Sequence, residues 1–535
     1  MVVLVNWVKI FEDADLLVIN KPAGMNTHSP SPFAGEGIYE WLRHRDPRWA
    51  KLAIIHRLDK ETSGVMVFGK TPAANRSLTE QFTQHIVRKT YRLLTDKPVK
   101  PGRLTAVSSL VRAGERYVSR PLHAGGERAE TRFQLAGTDE GRSVVLAEPV
   151  TGRTHQIRVH ASELGFPIIG DTLYGGTPAP RVYLHAAELS LKHPISGAEM
   201  KFTASLDFDA DARLALREAL IDGEQTNAWR VIHGAADGWP GWHVDRLGDF
   251  LLSQGERPLS DAQSAELSRL MERYSIKGAY HKMLTRQVRA TNIRQASPQL
   301  AMGRAAPEVF EVRENGVRFE LSFAEGYSVG LFLDQRENRR RFLANHVGSG
   351  FGGWTEDPAR GEIEVLNVFA YTCGFSVCAA RAGAKTTSLD LSKKYLEWGK
   401  RNFIANQIDP SRHEFIYGDA FDWLRRLARK GRYFDVVVLD PPTFSQSRQH
   451  GTFQAEKDYG QLVRTALLLL KPGSVLFAST NAARWKPEEF LETATATIRT
   501  EGREILKQHY VPQPPDFPVQ RDEPAYLKTV WMRVA

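Results

Sequence analysis

Val365-Leu366-Asn367-Val368-Phe369-Ala370-Tyr371-Thr372-Cys373-Gly374-Phe375 decides the fold of the longer part of this chain. An apolar run of strand length enters a tight, glycine-containing turn, and a helical stretch opens at Phe375–Ala382. The rhythm then repeats. Thr386–Leu389 reads as a strand ending in Asp390, Lys394–Ala405 as a helix, and Phe434–Leu439 as a strand ending in Asp440. Strand–helix–strand alternation of this kind builds a doubly wound parallel sheet, which binds ligands at the carboxyl ends of its strands. Phe369, Tyr371 and Gly374 lie in the first such turn, where they can line a nucleotide-type pocket. Asp390, about twenty residues on, is placed to accept hydrogen bonds from ribose hydroxyls. Asp419, after Phe415-Ile416-Tyr417-Gly418, is placed to read an adenine amino group. Pro441 and Pro442 stiffen the turn that holds Asp440 at the sheet edge. No Gly-x-Gly-x-x-Gly is present, so a dinucleotide is not expected.

Outward from this core the pattern changes. Residues 225–305 read as a small α/β unit with strands at Trp229–Gly234 and Phe250–Gln254 and a helix at Asp261–Tyr274. Leu206–Glu224, charged and alanine-rich, reads as a helical linker. Residues 1–205 show short strands with turn punctuation, such as Leu16–Asn20, Gly64–Phe68 and Ser143–Ala147, with a helix near Ala73–His85. That predicts a mixed, largely antiparallel α+β domain. The expected order is therefore 1–205, a linker at 206–224, a central unit at 225–305 and an α/β domain at 306–535.

A chain of 535 residues exceeds one hydrophobic core. Its net charge of +9 favours a polyanionic partner. The two cysteines, Cys373 and Cys378, can build neither a disulfide framework nor a metal site by themselves, and fit a reducing cytoplasm. No metal is expected. Met1–Val5 is too short and too soon followed by charge for a membrane span, and reads as a first strand.

A second chemical signature sits in the amino-terminal domain: His56-Arg57-Leu58-Asp59-Lys60-Glu61-Thr62-Ser63-Gly64. It resembles the catalytic loop of the RluA family of pseudouridine synthases. Further segments follow in that family's order: Asn20–Gly24, Arg88-Lys89-Thr90-Tyr91, Gly152-Arg153-Thr154-His155-Gln156-Ile157-Arg158-Val159-His160, Gly170–Gly175, Leu184–Ala186 and His193-Pro194. The resemblance implies isomerisation of uridine in RNA without a cofactor. Asp59 would be the nucleophile, and Tyr91 would stack on the flipped base and assist proton removal. Arg158 would pair with Asp59, Arg57 would fill the gap left by the extruded base, and Arg153 and His155 would contact substrate. Such a nucleophile must stay ionised in a partly desolvated pocket, and a nearby cation favours that form. No S4-type RNA-binding domain is expected ahead of this region, so specificity is expected to come from elsewhere.

The carboxy-terminal strand-end acids resemble those of class I S-adenosylmethionine-dependent methyltransferases, most closely the RlmI and RlmK type that act on ribosomal RNA. Asp237-Gly238-Trp239-Pro240-Gly241 with Val244-Asp245-Arg246, and Gly330-Leu331-Phe332-Leu333-Asp334-Gln335-Arg336, carry that resemblance. It implies S-adenosylmethionine as cofactor, held by Phe369, Tyr371, Gly374, Asp390, Asp419 and Asp440, with Arg336 joining that set. Members that methylate cytosine at carbon-5 use a cysteine, but the chain after the strand Val475–Ala478 reads Ser479-Thr480-Asn481-Ala482-Ala483-Arg484. Thr443-Phe444-Ser445 and Asn481 resemble the RlmK type, which methylates guanine at nitrogen-7. That resemblance implies that Phe444 and Asn481 meet the substrate base and favours guanine nitrogen-7 over cytosine carbon-5. A PUA-type domain has no counterpart, and the synthase domain occupies its place. The combined expectation is a bifunctional enzyme acting on RNA, most readily large-subunit ribosomal RNA or a ribosome assembly intermediate, in the cytoplasm and without a membrane. The competing reading leaves the first domain as a non-catalytic RNA-binding module.

Overall fold

The structure, a computed structural model, describes residues 8–284, 297–326, 328–354, 361–447, 451–520 and 524–535. The strand expected at Met1–Val5 lies outside them. The chain divides into two compact units that meet in sequence at Ile221 and Asp222, with Ser31–Gly35 and His44–Ala50 grouped with the second.

The first unit is built on one 11-stranded sheet. Its strands are β1 (Lys9–Glu12), β2 (Leu16–Lys21), β3 (Ala53–Ile54), β4 (Ser63–Gly69), β5 (Arg88–Thr95), β6 (Arg103–Ala113), β7 (Arg116–Arg120), β8 (Glu127–Asp139), β9 (Arg142–Pro149), β10 (Leu184–Lys192) and β11 (Glu199–Thr203). The main path runs β1-β2-β4-β10-β5-β9-β8-β6-β7, with β3 on β4 and β11 on β10. Every pairing is antiparallel except β4 with β10. At that parallel junction Gly64 faces Ala186, has φ +122°, and a Cβ there would meet the Ala186 carbonyl at 2.2 Å. Only glycine lets the strand that follows Asp59 close onto β10. Leu16, Val18, Val65, Val67, Leu78, Val87, Leu189, Leu191 and Phe202 form the core beneath this junction. The stretch expected as a linker folds in part as the helix Ala212–Leu220, capped by Asp211, with Leu214 and Leu220 buried.

The second unit opens with a five-stranded sheet: β12 (Ala228–His233), β13 (Trp242–Leu247), β14 (Phe250–Gly255), β15 (Gly278–Met283) and β16 (Gln299–Gly303). The helix Asp261–Tyr274 crosses between β14 and β15, started by a reciprocal cap between Ser260 and Gln263.

A seven-stranded sheet follows: β17 (Glu364–Val368), β18 (Lys385–Asp390), β19 (Glu414–Tyr417), β20 (Phe434–Leu439), β21 (Leu470–Thr480), β22 (Ile505–Val511) and β23 (Lys528–Val534). Its order is β19-β18-β17-β20-β21-β23-β22. The first five strands are parallel and the last two pairings antiparallel. Every residue of β20 is buried, as a central strand covered on both faces requires. The order reverses direction between β17 and β20, so a crevice opens at their carboxyl ends. Among the described residues no helix is long and apolar enough to cross a membrane.

Candidate active sites

In the first unit, the residues from Asp59 to the helix Gln156–Glu163 surround a cavity of about 850 Å³. The loop that carries Asp59 is held from below. Lys21, fully buried at the end of β2, donates to the carbonyls of Pro22 (2.8 Å), Met25 (2.7 Å) and Lys60 (3.4 Å). Burial lowers its ammonium to about 7, against the pull of Asp59 and Glu61. Thr27 Oγ1 donates to the Leu58 carbonyl at 2.7 Å and accepts the Leu58 N–H at 3.2 Å. Two anchors thus fix the backbone on either side of Asp59.

Arg158 lies in the helix Gln156–Glu163 and is 4% exposed. Its Nε and Nη2 take Asp171 in a two-point pair at 2.7 and 2.8 Å. Its remaining nitrogen, Nη1, sits 3.7 Å from Asp59 and 3.6 Å from Glu61. The sequence expectation of a cation beside Asp59 is realised in geometry, but burial outweighs it. The Asp59 carboxyl lies above its usual range because it is desolvated, although His155 and Arg158 pull it down; Glu61 adds to the rise.

Tyr91 sits on β5 between Ala147 of β9 and Ala186 of β10. Burial, reinforced by the charge of Asp59, pushes its phenol well above the ordinary range, so it stays neutral. His155 starts the Arg158 helix with a left-handed φ of 56°. Its Nδ1 is 2.8 Å from the Tyr174 hydroxyl, which accepts the Tyr117 N–H and so keeps its own proton for the imidazole. Arg57 is exposed at the cavity rim. Arg153 is exposed too, and engages Glu127 at 3.2 Å and the Arg128 carbonyl. The sequence reading passed over Lys21, Glu61, Lys89 and Asp171. All four stand inside quoted motifs, but spacing alone does not say which of a motif's side chains turn inward.

In the second unit a cavity of about 810 Å³ lies at the carboxyl ends of the parallel strands. Phe369, Tyr371, Gly374, Asp390, Asp419, Asp440, Phe444 and Asn481, all expected from sequence, line it. The turn after β17 is unusual: Phe369, Tyr371 and Cys373 have φ of 62°, 50° and 62°. Left-handed non-glycine residues cost roughly 1–3 kcal/mol each and persist only where the surroundings enforce them. The enforcement is visible. Asp390 accepts the Tyr371 N–H (2.8 Å) and the Ser392 N–H (2.8 Å), while Ala370 N–H donates to the Leu389 carbonyl. Burial raises the Asp390 carboxyl. Asp419 caps the helix Ala420–Arg429 by accepting the Asp422 N–H at 3.1 Å.

Asp440 Oδ1 accepts from Gln335 Nε2 (3.1 Å) and from Ser479 Oγ (2.7 Å). Burial pushes its carboxyl up to about 6. Thr443 Oγ1 donates to Asn481 Oδ1, which ties the two loops at the acceptor end. Phe444 is half exposed at the rim, as is Phe332, which packs against Tyr371 at 5.2 Å.

Arg336 is a correction. It does not line the cavity; its guanidinium is buried in a two-point pair with Asp516. Arg339, one helical turn on, lines the cavity instead, held by Glu314 at 2.7 Å through two nitrogens. Cys373 and Cys378 are both buried and their thiols pushed up to about 12, so neither offers a thiolate.

Fold and sites together define an α+β synthase-type domain followed by a class I methyltransferase. Residues 15–163 match the RNA pseudouridylate synthase family, and residues 229–533 match the S-adenosylmethionine-dependent methyltransferase family. The chain belongs to the S-adenosylmethionine-dependent methyltransferases and carries an RNA pseudouridylate synthase domain ahead of that core. Both resemblances read from the motifs are thereby borne out.

The chain is similar to a ribosomal RNA large subunit methyltransferase of Deinococcus radiodurans, 33% identical over 341 residues, covering 62% of this chain and 79% of that protein. It is similar to ribosomal large subunit pseudouridine synthase C of Yersinia pestis, 39% identical, covering 37% of this chain and 65% of that one. Ribosomal RNA large subunit methyltransferase K/L of a Psychrobacter species is 36% identical, but the chain spans only 28% of its length. Among solved structures, a methyltransferase complexed with SAH has a TM-score of 0.50 and 25% identity, covering 64% of this chain and 86% of that one.

The second cavity fits S-adenosylmethionine. It offers a carboxylate at the end of the second parallel strand, a backbone turn held open by its left-handed residues, and aromatic walls.

Proposed function

We propose that this chain modifies RNA twice, isomerising uridine in the first unit and methylating a base in the second, with large-subunit ribosomal RNA as the substrate and the cytoplasm as the setting. The proposed organisation is a synthase domain at 1–205, a linker at 206–224, a central unit at 225–305 and a methyltransferase domain at 306–535. The observation that carries this reading is that the motif residues gather into two cavities, Asp59, Tyr91 and Arg158 in one and Asp390 and Asp440 in the other. The names of the relatives support the ribosomal target.

In the first cavity the ionised Asp59 attacks C1′ of uridine as the N1–C1′ bond breaks. The base turns and C5 displaces the Asp59 carboxylate from C1′; C5 loses its proton and N1 gains one, so the reaction is an isomerisation needing no co-reactant. Tyr91, held neutral, stacks on the extruded base and can pass a proton only as a relay. His155 and Arg153 meet the substrate at the rim, and Arg57 fills the vacated stack.

In the second cavity Asp390, Phe369, Tyr371, Gly374, Asp419 and Asp440 would hold S-adenosylmethionine, which when bound supplies an electrophilic methyl group. Phe444 and Asn481 orient the acceptor. A ring nitrogen with a free lone pair needs alignment and no covalent catalyst. Neither of the chain's two cysteines falls in Ser479–Arg484 at the end of β21, which favours guanine nitrogen-7 over cytosine carbon-5. Mass-spectrometric mapping of ribosomal RNA with and without the gene tests all of this. One lost pseudouridine and one lost methylguanine are expected. A lost 5-methylcytosine would overturn the acceptor, and no lost pseudouridine would leave the first domain an RNA-binding module.

A further inference from the structure

A buried chain of hydrogen bonds runs into the second cavity, and its polarity is fixed from one end. The indole of Trp531 can only donate, and its Nε1 donates to Asn338 Oδ1 at 3.1 Å. The Asn338 amide must therefore turn its NH₂ outward, where it donates to Gln335 Oε1 at 2.8 Å and to Thr529 Oγ1 at 3.3 Å. That in turn aims the Gln335 NH₂ at Asp440 Oδ1 (3.1 Å) and Ser479 Oγ (2.8 Å). Ser479 Oγ, having accepted one proton, donates its own to the same Asp440 oxygen at 2.7 Å. Trp531, Asn338, Gln335 and Ser479 are each 3% exposed or less, so no water competes for these bonds. Among the described residues Asp440 Oδ2 takes no hydrogen bond, and Asp440 lines the cavity.

We propose that Gln335 is a positioning residue for methyl transfer, polarised from Trp531 through Asn338, which holds Asp440 by one carboxylate oxygen and leaves the other for a donor in the cavity. This rests on the reading of that cavity as the methyltransferase site. The arrangement is more than packing, because every amide in it is committed to one orientation. The charged and titratable groups that face Asp440 are Asp334, whose charge opposes ionisation, Arg339, which favours it, and the buried hydroxyl of Tyr459. The donors of Gln335 and Ser479 add to the side of Arg339.

Two near-isosteric variants of the full chain test this. Gln335→Met removes the donor while keeping the length. Asn338→Asp keeps the shape but removes the NH₂ that orients Gln335, freeing its amide to turn its oxygen toward Asp440. In both, the acid limb of the pH–rate profile for methylation should move up by about one pH unit, a loss of about tenfold near that limb that is recovered at higher pH. Binding of S-adenosylhomocysteine by the same preparation, measured by calorimetry, reports that the second unit is folded. An equal loss at every pH, or a profile like that of the unaltered protein, would overturn the positioning role. A wild-type chain that neither binds S-adenosylhomocysteine in calorimetry nor methylates RNA would instead remove the reading of the cavity, and the two failures are thereby distinguished.

Discussion

Asp59 in the first cavity faces an ionic partner, Arg158 at 3.7 Å, whereas Asp440 in the second is held at 3.1 and 2.7 Å by the neutral donors Gln335 and Ser479. Burial raises both carboxyls. A charge at nearly 4 Å favours the ionised form without occupying a lone pair, so the oxygen stays free to attack. A short hydrogen bond stabilises and also points, so the carboxylate is fixed in direction. The tight pairing of Arg158 goes to Asp171, which keeps the guanidinium from closing onto Asp59. A nucleophile and an anchor thus take different partners from the same need for charge.

The comparison is broken most directly by Asp59→Asn, which keeps the shape and removes the nucleophile. Pseudouridine should fall by about four orders of magnitude, as loss of a covalent catalyst does, while methylation by the same chain changes less than about twofold. Nucleoside mass spectrometry of a common RNA substrate reads both. Retained pseudouridine would remove the assignment.

Next in size is Asp390→Ala. It removes the acceptor that enforces the left-handed turn at Tyr371 and the proposed ribose contact together. The affinity for S-adenosylhomocysteine should drop about 10- to 100-fold, near 1.5–3 kcal/mol. Calorimetry measures it, and pseudouridine formation should be untouched. An unchanged affinity would mean that Asp390 only braces the loop.

Much of this was legible beforehand. The β17 turn and the strand-end acids announce a doubly wound sheet because burial on both faces and a ligand edge leave a pattern in one dimension. The junction of β4 with β10 does not, since Gly64 and Ala186 are brought together only by pairing across the chain. The sequence names Arg336 and not Arg339; the run Arg336–Arg341 falls in one helix with every arginine buried, so spacing does not single out the one that meets the cavity. Only the partners Asp516 and Glu314, both distant in sequence, decide which face meets the cavity. Gln335 escaped for the same reason: an amide's role depends on what fixes its flip, here a tryptophan almost two hundred residues away.

Asp171→Asn sharpens the contrast between ionic and neutral partners. It leaves Arg158 charged but weakens its tight pair, so the guanidinium becomes available to Asp59 and lowers its carboxyl. Activity on the acid side should therefore persist to lower pH, while the maximal rate falls about tenfold because the nucleophile is now occupied. The shift runs opposite to that expected for Gln335→Met. A limb that moved upward would show that Asp171 acts by other means.

The smallest effect should come from Glu61→Gln. Glu61 lies 3.6 Å from the same Arg158 nitrogen that faces Asp59, and its side chain is 42% exposed. Its charge raises the Asp59 carboxyl, both directly and by sharing the guanidinium. Removing that charge should move the acid limb of pseudouridine formation down, the same direction as Asp171→Asn, but by only about 0.3 of a pH unit because solvent screens the pair. Raising the salt concentration should shrink the difference between variant and parent. The buried Asp171 pair should be far less sensitive to salt, so the two variants separate screened from unscreened coupling at a single nucleophile. A Glu61→Gln shift as large and as salt-resistant as that of Asp171→Asn would mean that substrate binding buries Glu61, and that the first cavity works with two desolvated carboxylates.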